Sequence, residues 1–187
     1  MNAGKPLRAD ARRNRARVLD VAERTFAAKG LAVSIDEIAQ LAGVGVGTIY
    51  RHFPTKETLF GAIVVDRIQR LVDEARGLAG AADPGEAFFG FFTHLVEEAL
   101  LNKALYEALS EAAGVETVIG QLGEQLVAAQ GVLLARAQRA GAIRKDVDVG
   151  DLKALVAGCL AMESQGVVSG RMVAIVCDGL RTPAGDQ

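Results

Sequence analysis

The chain has 187 residues, half of them hydrophobic, with two cysteines, no tryptophan and a formal net charge of −2 at pH 7. That is enough apolar material for one ordinary domain or two small ones, and four prolines with no sustained apolar–polar alternation argue against an all-β chain. The Ala, Leu, Glu and Arg content favours helices, so the expected fold class is all-α. The N-terminus is positively charged but no apolar stretch follows it, and no run of about 18 apolar residues is evident. Neither a signal peptide nor a membrane span is expected, which predicts a cytoplasmic location.

Charge is unevenly spread. Residues 1–60 hold ten Lys and Arg against six Asp and Glu, net +4, whereas residues 61–187 hold eleven against seventeen, net −6. A basic front on an acidic body suits a protein that meets a polyanion with one end. A solvated basic helix gives the same count.

In chain order, Val18, Leu19, Ala22 and Phe26 recur at helical spacing over about Asp10 to Lys29, and Gly30 stops that helix. Arg8, Arg12, Arg13, Arg15 and Arg17 precede or open it, either as a flexible arm able to add phosphate or minor-groove contacts or as a device for solubility. Ser34, with Glu37 three places on, forms a capping box for a short helix carrying Ile35, Ile38, Ala39 and Ala42, which Gly43 closes. A second short element spans about Gly45 to Phe53. Pro54 ends it, and Thr55 caps a longer amphipathic helix with Leu59, Phe60, Ile63, Val64, Ile68 and Leu71. Two short helices joined by a glycine-containing turn form a helix-turn-helix.

The stretch "AGVGVGTIYRHF", residues 42–53, is then the turn and the second helix of that motif. At 100° per residue Ile49 and Phe53 face the preceding helices, while Gly47, Tyr50 and Arg51 point the other way with Thr48 on the flank. A helix entering a major groove needs such a surface: small residues where backbone approaches the duplex, hydroxyls and cations for phosphates, and a flat ring for a thymine methyl. A flexible loop with a half-buried Tyr50 is the other reading of the same residues.

The run from Arg17 to Leu59, with Gly30, Ser34, "DEIA" at 36–39, "AGV" at 42–44, "GTIY" at 47–50, "HF" at 52–53 and "KE" at 56–57, closely resembles the DNA-binding domain of TetR-type transcriptional regulators. The match is ungapped and covers about the first third of the chain. The resemblance implies a dimeric all-α regulator that binds double-stranded operator DNA through its N-terminal domain and releases it when a small molecule enters the C-terminal domain. By position it implies DNA contacts from Thr48, Tyr50, His52 and Lys56, early recognition-helix contacts from Val46 and Gly47, and a phosphate contact from Ser34. Many relatives carry a polar or basic residue where this chain has Val46. Lys56 also opens a helix, where the macrodipole disfavours a cation, so a phosphate partner would account for its placement.

Beyond residue 75 the chain breaks at 77–85, and Pro84 suits the first turn of a new helix. Phe88, Phe89, Phe91, Phe92, Leu95 and Val96 make that helix apolar around most of its circumference, as in a central buried helix. Further helices are expected at about 103–113, 115–140, 149–167 and 170–180, about nine in all. Phe88, Phe92, His94, Tyr106, Leu133 and Met162 would either enclose a ligand pocket or pack as ordinary core. The resemblance and the weakly acidic body together point to an apolar or cationic effector. His94 has no second His or Cys at ligand spacing, so neither a metal nor a cofactor is expected. Cys159 and Cys177 sit in apolar stretches and read as reduced, buried thiols.

In the last two helices Leu152, Leu155, Val156, Cys159 and Leu160 form one stripe and Val173, Val176 and Leu180 another, with small residues alongside that permit close helix approach. The resemblance makes them a homodimer interface. The expected division is residues 1–55 for DNA and 56–187 for effector binding and dimerisation. No paired carboxylates, phosphate loop or nucleophile constellation suggests an enzyme. A helical protein-interaction module without DNA binding is the alternative function.

Overall fold

The computed structural model describes residues 4–103, 116–163 and 169–183. The described residues form eight helices: α1 (Gly4–Lys29), α2 (Ile35–Leu41), α3 (Val46–His52), α4 (Lys56–Leu78), α5 (Pro84–Leu101), α6 (Glu116–Arg139), α7 (Val149–Glu163) and α8 (Ser169–Leu180). The all-α class is as expected, and the only extended pairing among the described residues is an isolated bridge between Ile143 and Arg181. The helix expected near 103–113 lies outside the described residues. α1 begins at Gly4 rather than near Asp10. Pro6 is tolerated there because the first turn leaves its N–H groups unpaired in any case.

Two compact units emerge, one holding α1, α2, α3 and α4 up to Asp66, the other holding α4 from Arg67 onward with α5 to α8. In the first, Val18, Leu19, Ala22 and Phe26 of α1 are buried together with Ile38, Ala39, Ile49, Leu59, Phe60 and Ile63. Phe26 and Phe60 meet edge to face with ring centroids 4.9 Å apart. The turn after α2 depends on Gly43, whose φ of +63° is accessible to glycine at little cost. It lets the N–H groups of Gly43 and Val44 bond back to the carbonyls of Gln40 and Ala39 at 3.1 and 3.0 Å, closing the helix as a Schellman motif.

In the second unit α5 is the central helix. Asp83 caps it by accepting from the Glu86 N–H at 2.9 Å, and Pro84 takes the first turn as expected. Phe88, Phe89, Phe91, Phe92, Leu95 and Val96 are all buried, and α5 packs against both α7 and α8. Arg136 of α6 donates to the carbonyls of Leu78 and Ala81 at 3.4 and 2.9 Å, placing a cation at the negative end of α4. Over Val118–Arg139 α6 is long and apolar enough, by length and composition alone, to cross a membrane, with mean hydropathy 1.2. Its alanines help raise that average without a continuous run of large apolar residues. Ala129, Leu133, Leu134 and Ala137 give it the single core-facing stripe of a packed helix.

Candidate functional site

α3 has seven residues, too few to persist as an isolated helix. Two anchors hold it. Ile49 is 1% exposed and Phe53 3%, and full burial of such side chains contributes about 1.5–3 kcal/mol each. Gly45 caps its start, its carbonyl accepting from Thr48 and Ile49 N–H at 2.8 and 3.1 Å. With Ile49 fixed inward, Val46, Gly47, Thr48, Tyr50, Arg51 and His52 are all exposed. A Cβ built on Gly47 would meet nothing within 4 Å.

The polar groups around α3 are tied to neighbouring helices. The Tyr50 hydroxyl donates to Asp36 of α2, and this hydrogen bond is the main reason its pKa stands above the ordinary phenol range. Ser34 is exposed and its Oγ accepts from the Glu37 N–H at 3.2 Å, leaving the hydroxyl hydrogen able to meet an anion. Glu37 pairs with Lys29 Nζ at 2.6 Å, so its carboxylate is drawn toward α1. Lys56, the first residue of α4, holds Nζ 6.0 Å from the Phe26 ring centroid. That contact partly offsets its unfavourable place at a helix N-terminus. Thr55 and Thr58 exchange backbone-to-side-chain bonds of 3.1 and 3.3 Å beside it. The Glu57 carboxyl is held below its ordinary range by its own N–H and then by the Thr55 side chain. On α1, Arg13, Arg15 and Arg17 are exposed, with the Arg15 guanidinium 5.8 Å from the Phe53 ring centroid.

In the second unit Phe88 and Phe92 are core residues. Phe88 and Phe92 are each 2% exposed, their rings nearly parallel at 6.1 Å, and Leu133 packs in the same core. Met162 is half-buried, and Tyr106 lies outside the described residues. His94 is bound up with charge instead: Nδ1 lies 2.8 Å from Glu74 and Nε2 3.3 Å from Glu98, and Glu98 also pairs with Arg67. The neutral ring can donate through only one nitrogen at a time. His94 also borders a cavity of about 530 Å³ between α5 and α8, with Phe89, Thr93, Glu97 and Cys177. A second groove of about 620 Å³, between α5, α6 and α7, is lined mostly by aliphatic and small residues. Cys159 and Cys177 are free and buried, and burial pushes both thiols above their ordinary pKa.

The stripes expected to pair two copies divide between different faces. Leu152, Cys159, Val173 and Leu180 are buried in the chain's own core. Val156 and Leu160 border the groove against α6, and Leu155 and Val176 line a cleft between α7 and α8. α7 is apolar nearly all round, so periodicity alone cannot tell its core face from its outer one. Its outer face carries exposed Ala154, Gly158 and Ala161, and α8 exposes Ile175 to 55%. Glu98 was also missed by sequence reasoning, although a carboxylate four residues after His94 in an apolar run signals an internal pair.

Residues 18–63 match the tetR family of bacterial regulatory proteins, and residues 83–182 match the C-terminal domain of SbtR-like transcriptional regulators. The crystal structure of a TetR transcription regulatory protein from Mycobacterium vanbaalenii is 49% identical, with a TM-score of 0.78 over 94% of this chain and 99% of that one. A TetR transcriptional regulator from Streptomyces coelicolor is 31% identical, with a TM-score of 0.76 over 91% and 99% of the two chains. An HTH-type transcriptional regulator of Staphylococcus aureus is 41% identical over 54 residues, so the match spans 28% of this chain and only 29% of that protein's length. The exposed face of α3, the turn at Gly43 and the all-helical second unit fit these matches, and the chain belongs to the TetR family of transcriptional regulators, with a helix-turn-helix DNA-binding domain.

Proposed function

We propose that the chain is a repressor that binds a near-palindromic operator as a homodimer and lets go when a small molecule occupies its second unit. The observation that carries this reading is the outer face of α3, where Gly47, Thr48, Tyr50, Arg51 and His52 are exposed on a helix locked by Ile49 and Phe53. On this reading Tyr50 and Arg51 reach base edges or phosphates, Val46 and Gly47 allow close backbone approach, and Ser34, Thr48, His52 and Lys56 position the phosphates. Residues 1–55 read DNA, and residues 56–187 bind the effector and the second copy. The pairing surface is the outer side of α7 and α8, around Ala154, Gly158 and Ile175, with Leu155 and Val176 at its base. Two-fold pairing of α3 helices requires two half-sites in inverted repeat. The protein acts in the cytoplasm, with no cofactor and no chemistry of its own.

The test is to incubate the pure protein with sheared genomic DNA of its host at fixed salt and sequence the fragments it retains. Enrichment of one inverted repeat is expected. Retention without sequence preference, or none at all, would replace this reading by that of an interaction module.

A further inference from the structure

We infer that Val46 sets part of the operator sequence: its isopropyl group packs against the 5-methyl group of a thymine in the major groove of each half-site. The inference deepens the proposed function and rests on its reading of α3 as the helix that enters the groove.

Val46 is the first residue of α3 and is 40% exposed, although Ile49 one turn on is almost wholly buried. Among the described residues of the first unit, the exposed large hydrophobic side chains are Leu41, Val46 and Tyr50, all close together in the chain. Val46 also stands clear of neighbouring side chains. Gly45 and Gly47 flank it; a Cβ built on Gly47 would meet nothing within 4 Å, and one on Gly45 would meet only Thr48 Oγ1, at 3.7 Å. The backbone on either side is therefore bare, and a surface that approaches it closely meets the Val46 isopropyl group.

In helix-turn-helix complexes the N-terminal residues of the second helix meet base edges. Valine neither donates nor accepts a hydrogen bond, so it has no role at a phosphate. Against the amino, carbonyl or ring-nitrogen edge of adenine, guanine or cytosine it would displace water and return no hydrogen bond. The 5-methyl group of thymine is the apolar group that unmodified DNA presents in the major groove. Packing it on the isopropyl group removes both from water. The branched side chain is also stiff about χ1, so little rotamer freedom is lost in the contact. Tyr50, one turn further on and 42% exposed, is the competing apolar surface of α3.

The test uses operators that differ only in thymine methyl groups. Each thymine of the inverted repeat recovered from genomic DNA is replaced in turn by deoxyuridine, in both half-sites together. Affinity for the full chain is then measured by fluorescence anisotropy at one salt concentration. Uracil lacks the methyl group and keeps the hydrogen-bonding edge of thymine. At one position the parent should lose about fourfold in affinity per half-site, the factor for one buried methyl group. Val46→Ala should bind the thymine operator more weakly by a similar factor and lose nothing further with uracil at that position, the non-additivity of two groups in contact. Its slope of log affinity against log salt should equal the parent's, because no phosphate contact is lost. If Val46→Ala melts early, Val46→Ser repeats the comparison, and the uracil scan of the parent needs no variant at all. A scan in which no uracil changes affinity overturns the inference. So does a uracil effect undiminished in Val46→Ala, which would assign the methyl group to Tyr50. Retention of no specific fragment overturns the regulator reading and this inference with it, whereas an operator indifferent to its thymine methyl groups overturns this inference alone.

Discussion

Gly47 is the second residue of α3, on the exposed side, with open space where a Cβ would stand. Replacing it by alanine therefore creates no clash in the free protein. Alanine is favoured over glycine in a helix interior by about 1 kcal/mol, and for a chain of this size that corresponds to a rise in melting temperature of about 2–4 °C. Position 47 is near the helix end, so the gain should fall in the lower part of that range. The effect on DNA binding runs the other way. A methyl group on the face shared with Tyr50 and Arg51 would hold the α3 backbone off the duplex and lengthen the contacts of Thr48 and Tyr50 as well. The expected loss of operator affinity is about tenfold or more, on the order of 1–3 kcal/mol, the scale of one good base contact. Thermal melting and fluorescence anisotropy on a labelled operator, both at one salt concentration, measure the two effects separately. An alanine variant that binds operator as tightly as the parent would refute close backbone approach as the reason for the glycine.

Lys56→Ala should lower the slope of log affinity against log salt by about 0.9, since one fewer phosphate contact releases one fewer counterion, and an unchanged slope would confine Lys56 to its packing on Phe26. Ile175→Asp should leave the melting temperature almost unchanged, because the side chain is 55% exposed in the protomer, yet sedimentation should show monomers; an intact dimer would move the pairing surface elsewhere. Cys159 and Cys177 have raised pKa values through burial, so less thiolate is present at any given pH and alkylation sets in only at higher pH than for a free thiol. At pH 8 the native protein should label more slowly than the urea-unfolded chain by about tenfold or more, and equal rates would contradict the buried placement.

The features legible in the sequence were those decided by neighbours along the chain. Ser34, Gly43, Asp83 and Pro84 act through hydrogen bonds or backbone angles spanning three to five residues, so their roles follow from spacing. The face of α3 was legible for the same reason: Ile49 and the C-cap residue Phe53 lie about one turn apart, and the positions between and before them are polar or small apart from Val46. The outer domain surfaces were not legible. α7 carries apolar or small residues on nearly every side, and which side is core is decided by α5 and α8, far away in sequence. Leu152 and Cys159 were therefore assigned outward although they face inward. The phenylalanines of α5 were equally ambiguous, because a ring that fills a core and a ring that lines a cavity have the same periodicity. The partners of His94 needed helix pairing before any role could be seen.

The pairing of Arg67 with Glu98 across α4 and α5 constrains how the sequence can drift. Their side chains are 19% and 9% exposed, so both charges rest on protein partners more than on water, Glu98 also meeting His94 Nε2 at 3.3 Å. Losing either one alone takes from its partner a countercharge that water does not readily replace, and breaking a buried pair costs about 3–5 kcal/mol, against a whole-domain stability of about 5–15 kcal/mol. Replacing both by apolar residues of similar volume is often neutral or better. The two sites are thus coupled in inheritance: a lineage leaves the charged pair only by two changes that arrive nearly together, and until then each residue guards the identity of the other.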